Sequence, residues 1–200
     1  SNALLSALTP EVLDETAKLF QIRREWLDGL GWRIYEHRGC YKQPRVFLDD
    51  FVHLDVEATL WPIIAFCEND KLDYKRGRKQ PLVLVTVEKI MDLGENEIDR
   101  YRIYDDGWDW GYWKCRIQLK AMLRIINELH GGVVVAPLYP VNSKVLEEIE
   151  AGRCVPRHFF MRRSHRVSLE DFSFSPEQSA VSKESEELGE VERYIKAYDL

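Results

Sequence analysis

Apolar residues near the N-terminus recur at helical spacing, so this end of the 200-residue chain is predicted to form two helices. The first is predicted over residues 10–20, where Thr9 can cap the first turn and Pro10 fits its opening position. The second, shorter pattern covers residues 23–28. Residues 4–31 are therefore expected to fold as a helical hairpin.

Beyond the hairpin, the pattern changes from helical to alternating and back again. Residues 32–37 alternate enough for a short strand, and residues 44–56 have the spacing of a helix with Pro44 in its first turn. Apolar, β-branched runs then predict strands at 61–67 and 81–90, and a shorter alternating run predicts a third strand at 100–104. Because these strands follow one another directly in the sequence, they are expected to pair as an antiparallel meander.

The longest helical pattern covers residues 109–130 and is followed by Gly131, which favours a helix stop. An apolar strand is predicted at 133–138, and a second helix at 143–151 has Asn142 as its cap. Three strands, a long helix and a further strand predict an α+β fold, in which the helix covers a small, mainly antiparallel sheet.

Composition adds boundaries to this pattern. The first three residues, Ser-Asn-Ala, resemble what remains after an affinity tag is removed. From residue 173 onward the chain is rich in Ser, Glu, Gln and Lys, which is typical of a mobile acidic linker. The predicted units are a tag scar at 1–3, the helical hairpin at 4–31, an α+β sensor or effector domain at 32–172, the acidic linker at 173–190 and a C-terminal segment at 191–200.

The chain carries a formal net charge of −6, with 45% hydrophobic and 31% charged residues. This balance is that of a globular protein, and the acidic excess argues against a surface that binds nucleic acid over its whole extent. No apolar run approaches the roughly 18 residues needed to cross a bilayer, and no signal peptide opens the chain. The expected location is therefore the cytoplasm, with no membrane partner.

The four cysteines form no Cys-x-x-Cys pair, and none has a histidine at metal-ligand spacing. They are predicted to be reduced and structural, and neither a metal site nor a cofactor is expected. Cys115 leaves an alternative open, because the neighbouring cations Lys114 and Arg116 would favour a reactive thiolate there.

Residues 8–29 read LTPEVLDETAKLFQIRREWLDG. Their order of parts, Thr-Pro-Glu-x-Leu, Ala-Lys-Leu-Phe and Ile-x-x-x-Trp-Leu-x-Gly, resembles helices four and five of the Cro/repressor-type helix-turn-helix family, the xenobiotic-response-element family of bacterial transcriptional regulators. The resemblance implies that Ala17 faces the core of a small helical bundle and that Trp26 and Leu27 close it. It also implies a regulator that forms a homodimer and contacts DNA only through a missing N-terminal segment, which would carry the recognition helix.

Two other interpretations of this stretch remain open. One aligns residues 13–27 with helices two and three of the same module and places the DNA-reading helix at 23–32. There Gly29 and Gly31 would each cost about 1 kcal/mol of helix stability relative to alanine. The other treats the stretch as a hairpin that packs on the following domain.

A ligand site is indicated most strongly at residues 104–120, YDDGWDWGYWKCRIQLK, which concentrate three tryptophans with acidic and basic side chains. Clustered tryptophans bury apolar area in a core, or they line a pocket or a dimer seam. The acidic residues of this stretch are predicted to cap or turn the start of the long helix. The predicted ligand-binding residues are Trp108, Trp110, Tyr112, Trp113, Lys114, Arg116, Lys120 and Arg124.

Three of these residues, Arg116, Lys120 and Arg124, form a stripe of like charges at steps of four. Such neighbours repel one another by a few tenths of a kcal/mol per pair, so the stripe needs compensating charge. Acidic side chains such as Glu88 or Asp92, the acidic tail, or a small anionic effector would each supply it.

A second basic cluster occupies residues 157–166, RHFFMRRSHR. It is predicted either to be a surface segment neutralised by the acidic tail or to contact nucleic-acid phosphates. The side chains that would make those contacts are Arg157, Arg162, Arg163 and Arg166.

Enzyme motifs do not occur in the sequence. It contains no Ser-Met pair of a self-cleaving peptidase, no Gly-x-Ser-x-Gly elbow, no phosphate-binding loop and no His-Glu-x-x-His pair, so no catalytic residue is assigned. The sequence predicts the effector-sensing or oligomerisation domain of a bacterial DNA-binding transcriptional regulator. The alternatives are a protein-interaction module with a tryptophan-rich face, and a small-anion-binding protein or enzyme whose site residues are distant in sequence.

Overall fold

Helices and strands together form an α+β fold, as the sequence predicts. A computed structural model describes residues 7–54, 62–68, 72, 78–94, 97–131, 136–160, 167–168 and 182–200. The helices in these parts are α1 (Pro10–Phe20), α2 (Arg24–Leu27), α3 (Pro44–Val52), α4 (Trp113–Leu129), α5 (Ser143–Glu150), α6 (Arg157–Phe160) and α7 (Ser182–Tyr198). The strands are β1 (Ile63–Cys67), β2 (Pro81–Asp92), β3 (Glu97–Asp109), β4 (Pro137–Pro140) and β5 (Val167–Ser168).

The strands form one sheet in the order β3-β2-β1-β4-β5. β1, β2 and β3 pair antiparallel, which confirms the predicted meander, and β4 pairs antiparallel with β5. β1 pairs parallel with β4, with Ala65 opposite Leu138, so the described sheet is mixed but mainly antiparallel. All five residues of β1 are buried, since the strand has a neighbour on each side and packed layers above and below.

Each face of the sheet has its own apolar core, because successive residues of β2 point to opposite faces. Leu82 and Leu84 belong to the core shared with α3 and α4, whereas Val83 and Val85 belong to the core shared with α5. The prediction of one covering helix is therefore incomplete: α4 covers one face and α5 covers the other. The α4 residues in the first core are Cys115, Leu119, Met122, Leu123 and Ile126.

β3 continues to Asp109, so the predicted helix start at this residue is wrong. Trp108 lies opposite Leu82 of β2. The backbone near Asp109, which was predicted to form the first turn of the helix, is paired with β2 instead. Tyr104 and Trp108 are both fully buried in the first core, which favours the extended form of this segment. α4 begins at Trp113 instead.

β3 is an edge strand of the sheet, and part of its outer side is covered by the chain itself. Arg38 forms a parallel bridge with Tyr104, and the Arg38 carbonyl accepts a hydrogen bond from the Asp105 amide at 3.2 Å. The middle of this edge is therefore already paired.

Several other predicted elements also have different bounds in the structure. α3 ends at Val52, whereas its prediction ran to residue 56, and β3 extends beyond the predicted 100–104 at both ends. β4 begins at Pro137, and the part of its prediction at 133–135 lies outside the described residues.

Both predicted N-terminal helices are present, as α1 and α2. Thr9 Oγ1 accepts a hydrogen bond from the Val12 amide at 3.3 Å, which confirms the predicted cap. No strand forms over residues 32–37, so that prediction is wrong; the hairpin instead meets the domain through an isolated bridge between Ile22 and Tyr35.

α1 buries none of its residues, although its apolar and polar side chains lie on separate sides of the helix. The described residues therefore leave one side of the hairpin uncovered. The exposed apolar side chains of the hairpin are Leu8, Val12, Leu19, Trp26 and Leu30, and Trp32, directly after it, is exposed as well.

The acidic stretch near the C-terminus is helical where the structure describes it. Residues 182–190, predicted as part of a mobile linker, belong to α7, whereas 173–181 lie outside the described residues. The composition was misleading because Leu188 and Val191, three positions apart, are both buried and give the helix an apolar side. Val191 packs against Ile117 and Ala121 of α4.

Candidate functional site

The start of α4 is fixed by a turn built on Asp109. Its carboxylate oxygen Oδ1 accepts hydrogen bonds from the Gln80 amide at 2.8 Å and from the Gly111 amide at 2.9 Å. Glycine is required at position 111, because a Cβ there would lie 2.0 Å from the carbonyl oxygen of Arg78. The predicted turn role is confirmed for Asp109 but is wrong for Asp105 and Asp106, which lie within β3. The turn places Trp113 at the first position of α4.

A second turn, formed by Cys40, Tyr41 and Lys42, is held in place by two side chains, Gln118 of α4 and Asp106 of β3. The Gln118 side chain accepts a hydrogen bond from the Lys42 amide at 2.8 Å and donates one to the Cys40 carbonyl at 2.9 Å. The Asp106 carboxylate accepts hydrogen bonds from the Cys40 amide and from the Tyr41 amide, the latter at 2.9 Å. These contacts hold the side chains of Tyr41 and Lys42 beside the first turns of α4.

Between this second turn, α4 and α7 lies a cleft of about 420 Å³. Cavities of a few hundred Å³ with mostly apolar walls are typical of sites for small organic molecules. Trp113 is 49% exposed in the cleft wall, and the Tyr194 and Tyr198 rings stack at 4.4 Å between centroids. The aromatic lining residues are Tyr41, Trp113, Tyr194 and Tyr198.

Three cations and one carboxylate line the same cleft: Lys42, Lys114, Arg193 and Glu190. Arg193 Nη2 pairs with Glu190 Oε1 at 2.6 Å. The Lys42 Nζ lies 5.3 Å from the centroid of the Tyr41 ring, and the Lys114 Nζ lies 5.5 Å from that of Trp113. Within the described part of the chain neither lysine contacts a carboxylate, so the cleft has an excess of positive charge.

Of the predicted ligand-binding residues, Trp113 and Lys114 line the cleft. Trp108 and Trp110 do not, because both are 1% exposed and belong to the core between α4 and the sheet. Tyr112 is half-exposed at the residue before α4 and does not line the cleft.

Arg116 and Lys120 are buried and bound by a carboxylate of α7. The Arg116 guanidinium donates two hydrogen bonds to Glu187 Oε1, one of them from Nε at 2.8 Å. The Lys120 ammonium donates to Glu187 Oε2 at 2.5 Å. Burial alone would raise the pKa of Glu187, but the hydrogen bonds from Arg116 and Lys120 outweigh it and hold that pKa below its ordinary value.

Arg124 completes the stripe and is compensated in the same way. Its guanidinium Nε donates to Glu128 Oε1 at 2.9 Å, and Nη1 lies 3.8 Å from Glu192 Oε1 of α7. Of the compensating charges that the sequence offers, those of the acidic C-terminal stretch therefore pair with Arg116, Lys120 and Arg124. Glu88 pairs with Arg100 at 3.0 Å instead.

Sequence reasoning missed the cleft residues that come from other elements. Tyr41, Lys42 and Arg193 are distant from the tryptophan motif in sequence, and no local pattern connects them with it. Tyr194 and Tyr198 gave the one usable signal, since they restore apolar character to the C-terminal segment.

The second basic cluster is described only in part. Arg157 is half-buried and its Nη1 pairs with Asp99 Oδ2 at 2.6 Å, so this side chain is engaged within the protein. Arg162, Arg163 and Arg166 lie outside the described residues, and their predicted phosphate contacts stay a prediction.

The structure does not favour a reactive thiolate at Cys115. Burial raises the pKa of this thiol, and burial also raises the pKa of Cys40 and brings that of Cys154 to about 11. All four cysteines are in the reduced form. In the described ranges, no three His, Cys, Asp or Glu side chains come together as metal ligands, and no helix there has the length and apolarity to cross a membrane.

Comparison of the chain with known protein families, with curated proteins and with solved structures finds no match.

Proposed function

We propose that this chain is the effector-sensing domain of a bacterial transcriptional regulator, and that a small organic anion binds in the cleft between α4 and α7. One observation carries the proposal: Lys42 and Lys114 bring cationic groups into an aromatic cleft, where the contacts of the described residues give them no carboxylate partner. Both Trp113 and Lys114 belong to the ligand-binding set predicted from the sequence.

The chemistry of the cleft favours a particular class of anion. Lysine ammonium groups bind carboxylates or phosphates as point charges, without the fixed geometry of a guanidinium fork. The exposed face of Trp113 and the stacked tyrosines offer flat apolar surface to a planar ring. The expected effector is therefore a small aromatic carboxylate, with its ring against the aromatic wall and its charge at the lysines.

The link to transcription rests on the resemblance of α1 and α2 to the end of a Cro/repressor-type helix-turn-helix module. The uncovered apolar side of α1 supports it, because Val12 and Leu19 are exposed where such a module would place further helices. We propose that the DNA contacts come only from an N-terminal segment that packs on this side, and that the regulator acts as a homodimer.

The structure gives less support to a protein-interaction module built on a tryptophan-rich face. Trp108 and Trp110 are core residues, so Trp113 is the one tryptophan of the motif with substantial exposure. A small-anion-binding protein without a role in transcription uses the same cleft, and it is the second candidate.

The binding proposal is tested by isothermal titration of the protein with benzoate, phenylacetate, indole-3-acetate, hexanoate and inorganic phosphate. Aromatic carboxylates should bind more tightly than hexanoate or phosphate. Lys42→Ala and Lys114→Ala should each weaken that binding at least about tenfold, because a charge-assisted hydrogen bond contributes about 1.5–3 kcal/mol.

Lys144→Ala is the matched control, since Lys144 is exposed on α5 across the sheet and its loss changes the net charge equally. Binding that is absent at millimolar concentration, or equal weakening by all three variants, would overturn the assignment of the cleft.

A further inference from the structure

α7 packs on the domain through a small apolar contact of its own. Val191 is buried against Ile117 and Ala121 of α4, with the partly buried Tyr194 and Ile195 packed beside it, in a cluster separate from the two cores of the sheet. Elements held by few buried apolar contacts open at lower free energy than the core they rest on. The apolar contact alone therefore gives α7 a weak attachment.

The stronger attachment is the Glu187 carboxylate. Arg116 is 5% exposed and Lys120 is 8% exposed, and both donate hydrogen bonds to this carboxylate. The Arg116 guanidinium is also held by the turn that precedes α4, because its Nη1 donates a hydrogen bond to the Trp110 carbonyl at 2.7 Å. Removing one partner of a buried ion pair is strongly destabilising, since it leaves uncompensated charge in a poorly solvated place. Among the described contacts of α7, the Glu187 carboxylate is thus the one that binds two buried cations of α4.

The same helix forms one wall of the cleft. Arg193, Tyr194 and Tyr198 all belong to α7, so the cleft is complete only when the helix is docked. A ligand that contacts both α4 and α7 binds the docked state better than the undocked state, and by linkage it stabilises docking to the same extent.

We propose that α7 is a detachable latch, held by Glu187 on Arg116 and Lys120, which closes the cleft so that ligand binding and helix docking stabilise each other. The coupling to a ligand rests on the proposed function of the cleft; the latch itself does not. When α7 undocks, Arg116 and Lys120 become exposed to solvent together with the apolar side chains Ile117 and Ala121.

The latch is tested by hydrogen–deuterium exchange of the full chain without ligand, comparing wild type with Glu187→Gln and Glu192→Gln. Glu192 is the matched control, because its substitution removes the same charge from the same helix, but it lies 3.8 Å from Arg124 and is half-exposed. In Glu187→Gln the α7 amides should exchange at least tenfold faster, with β1 and the core-facing part of α4 unchanged. Glu192→Gln should change α7 exchange less than threefold.

Two results would overturn the latch. One is α7 exchange that is the same in Glu187→Gln as in wild type. The other is acceleration of α7 and β1 together, which would make α7 part of the global folding unit. Protection of β1 also shows directly that the variant is folded, so a loss of structure is not mistaken for undocking.

The coupling is tested with benzoate at millimolar concentration. It should slow α7 exchange in wild type and bind Glu187→Gln at least fivefold more weakly, with Glu192→Gln like wild type. Equal affinity for wild type and Glu187→Gln would overturn the coupling and leave the binding function standing. No binding of any of the five test anions to wild type would overturn the binding function and the coupling with it, whereas the exchange of the ligand-free protein would still decide the latch.

Discussion

The Arg116 guanidinium on α4 donates from Nε to Glu187 Oε1 at 2.8 Å, across 71 positions of sequence. This pair joins a cation that lies in the tryptophan motif to a carboxylate in the acidic C-terminal stretch. The pair holds α7 against α4, and these two helices, whose relation is not visible in the sequence, both line the cleft.

The docking of α7 should depend on pH through Glu187. Because the pKa of Glu187 is lowered in the folded protein, its contribution to stability is complete above its ordinary value of 4.5 and is lost as the pH falls through the lower, folded value. Exchange of the α7 amides should therefore accelerate below about pH 4.5, before the β1 amides lose protection. Mass-resolved exchange between pH 7 and pH 3, corrected for the intrinsic rate, measures this.

Glu187→Gln provides the comparison, since its α7 exchange should lack that acid step. An acid step of equal size in the variant would assign the pH dependence to other carboxylates.

Trp113 and Trp108 should differ sharply in their effect on stability, although they are five positions apart. Trp108→Ala removes a side chain that is 1% exposed, and it should lower the free energy of unfolding by about 3–5 kcal/mol. Trp113→Ala should cost no more than about 1 kcal/mol, because half of this side chain is in solvent. Urea denaturation followed by circular dichroism measures both, and similar costs for the two variants would contradict the separation of core from cleft.

Two glycines should respond to alanine in opposite directions. Gly111→Ala places a Cβ against the Arg78 carbonyl and should destabilise the protein by roughly 1–3 kcal/mol, with a loss of order at the start of α4. Gly189 lies inside α7, and among the described residues no neighbouring atom lies within 4 Å of the position that an alanine Cβ would take there. Gly189→Ala should therefore favour the helix by about 0.5–1 kcal/mol.

Amide exchange of α7 is the sensitive measurement for Gly189→Ala, and thermal denaturation is the one for Gly111→Ala. Faster exchange of the α7 amides in Gly189→Ala would contradict the prediction that alanine at this position stabilises the helix.

The thiols should react slowly in the folded protein. Burial raises the pKa of Cys115 and Cys40 and brings that of Cys154 to about 11, so little thiolate is present at pH 8. Cys154 is half-buried and should react first with a disulfide reagent, followed by the buried thiols at the rate of unfolding. Mass spectrometry of the time course assigns the order, and a rapid reaction at Cys115 would restore the thiolate interpretation of its cationic neighbours.

The elements that sequence predicts well are those whose pattern comes from contacts near in sequence. α1, with Thr9 as its cap, is present at its predicted bounds, and α5 has its predicted start with Asn142 as its cap. The error at Asp109 arises from a contact with a distant strand, because the pairing of Trp108 with Leu82 is not visible in the motif alone. A run of tryptophans and aspartates fits a strand end and a helix start equally well.

Only a small part of the candidate site was predictable from the sequence. Trp113 and Lys114 stand out in sequence because aromatic and cationic residues are adjacent there, whereas Lys42 enters the cleft through a turn fixed by Gln118. The acidic composition around Glu187 predicted a linker, because composition alone does not show that this carboxylate pairs with Arg116 and Lys120. Long-range electrostatic contacts of this kind are set by the fold and leave little local trace.

The covered edge of β3 bears on how the protein avoids self-association. An exposed edge strand of 13 residues offers a row of free amides and carbonyls to another molecule. Here Arg38 occupies the middle of that row through its contacts with Tyr104 and Asp105, so an incoming strand finds no uninterrupted template. The segment just before the turn that holds Lys42 in the cleft therefore also blocks edge-to-edge pairing of β3 with another molecule.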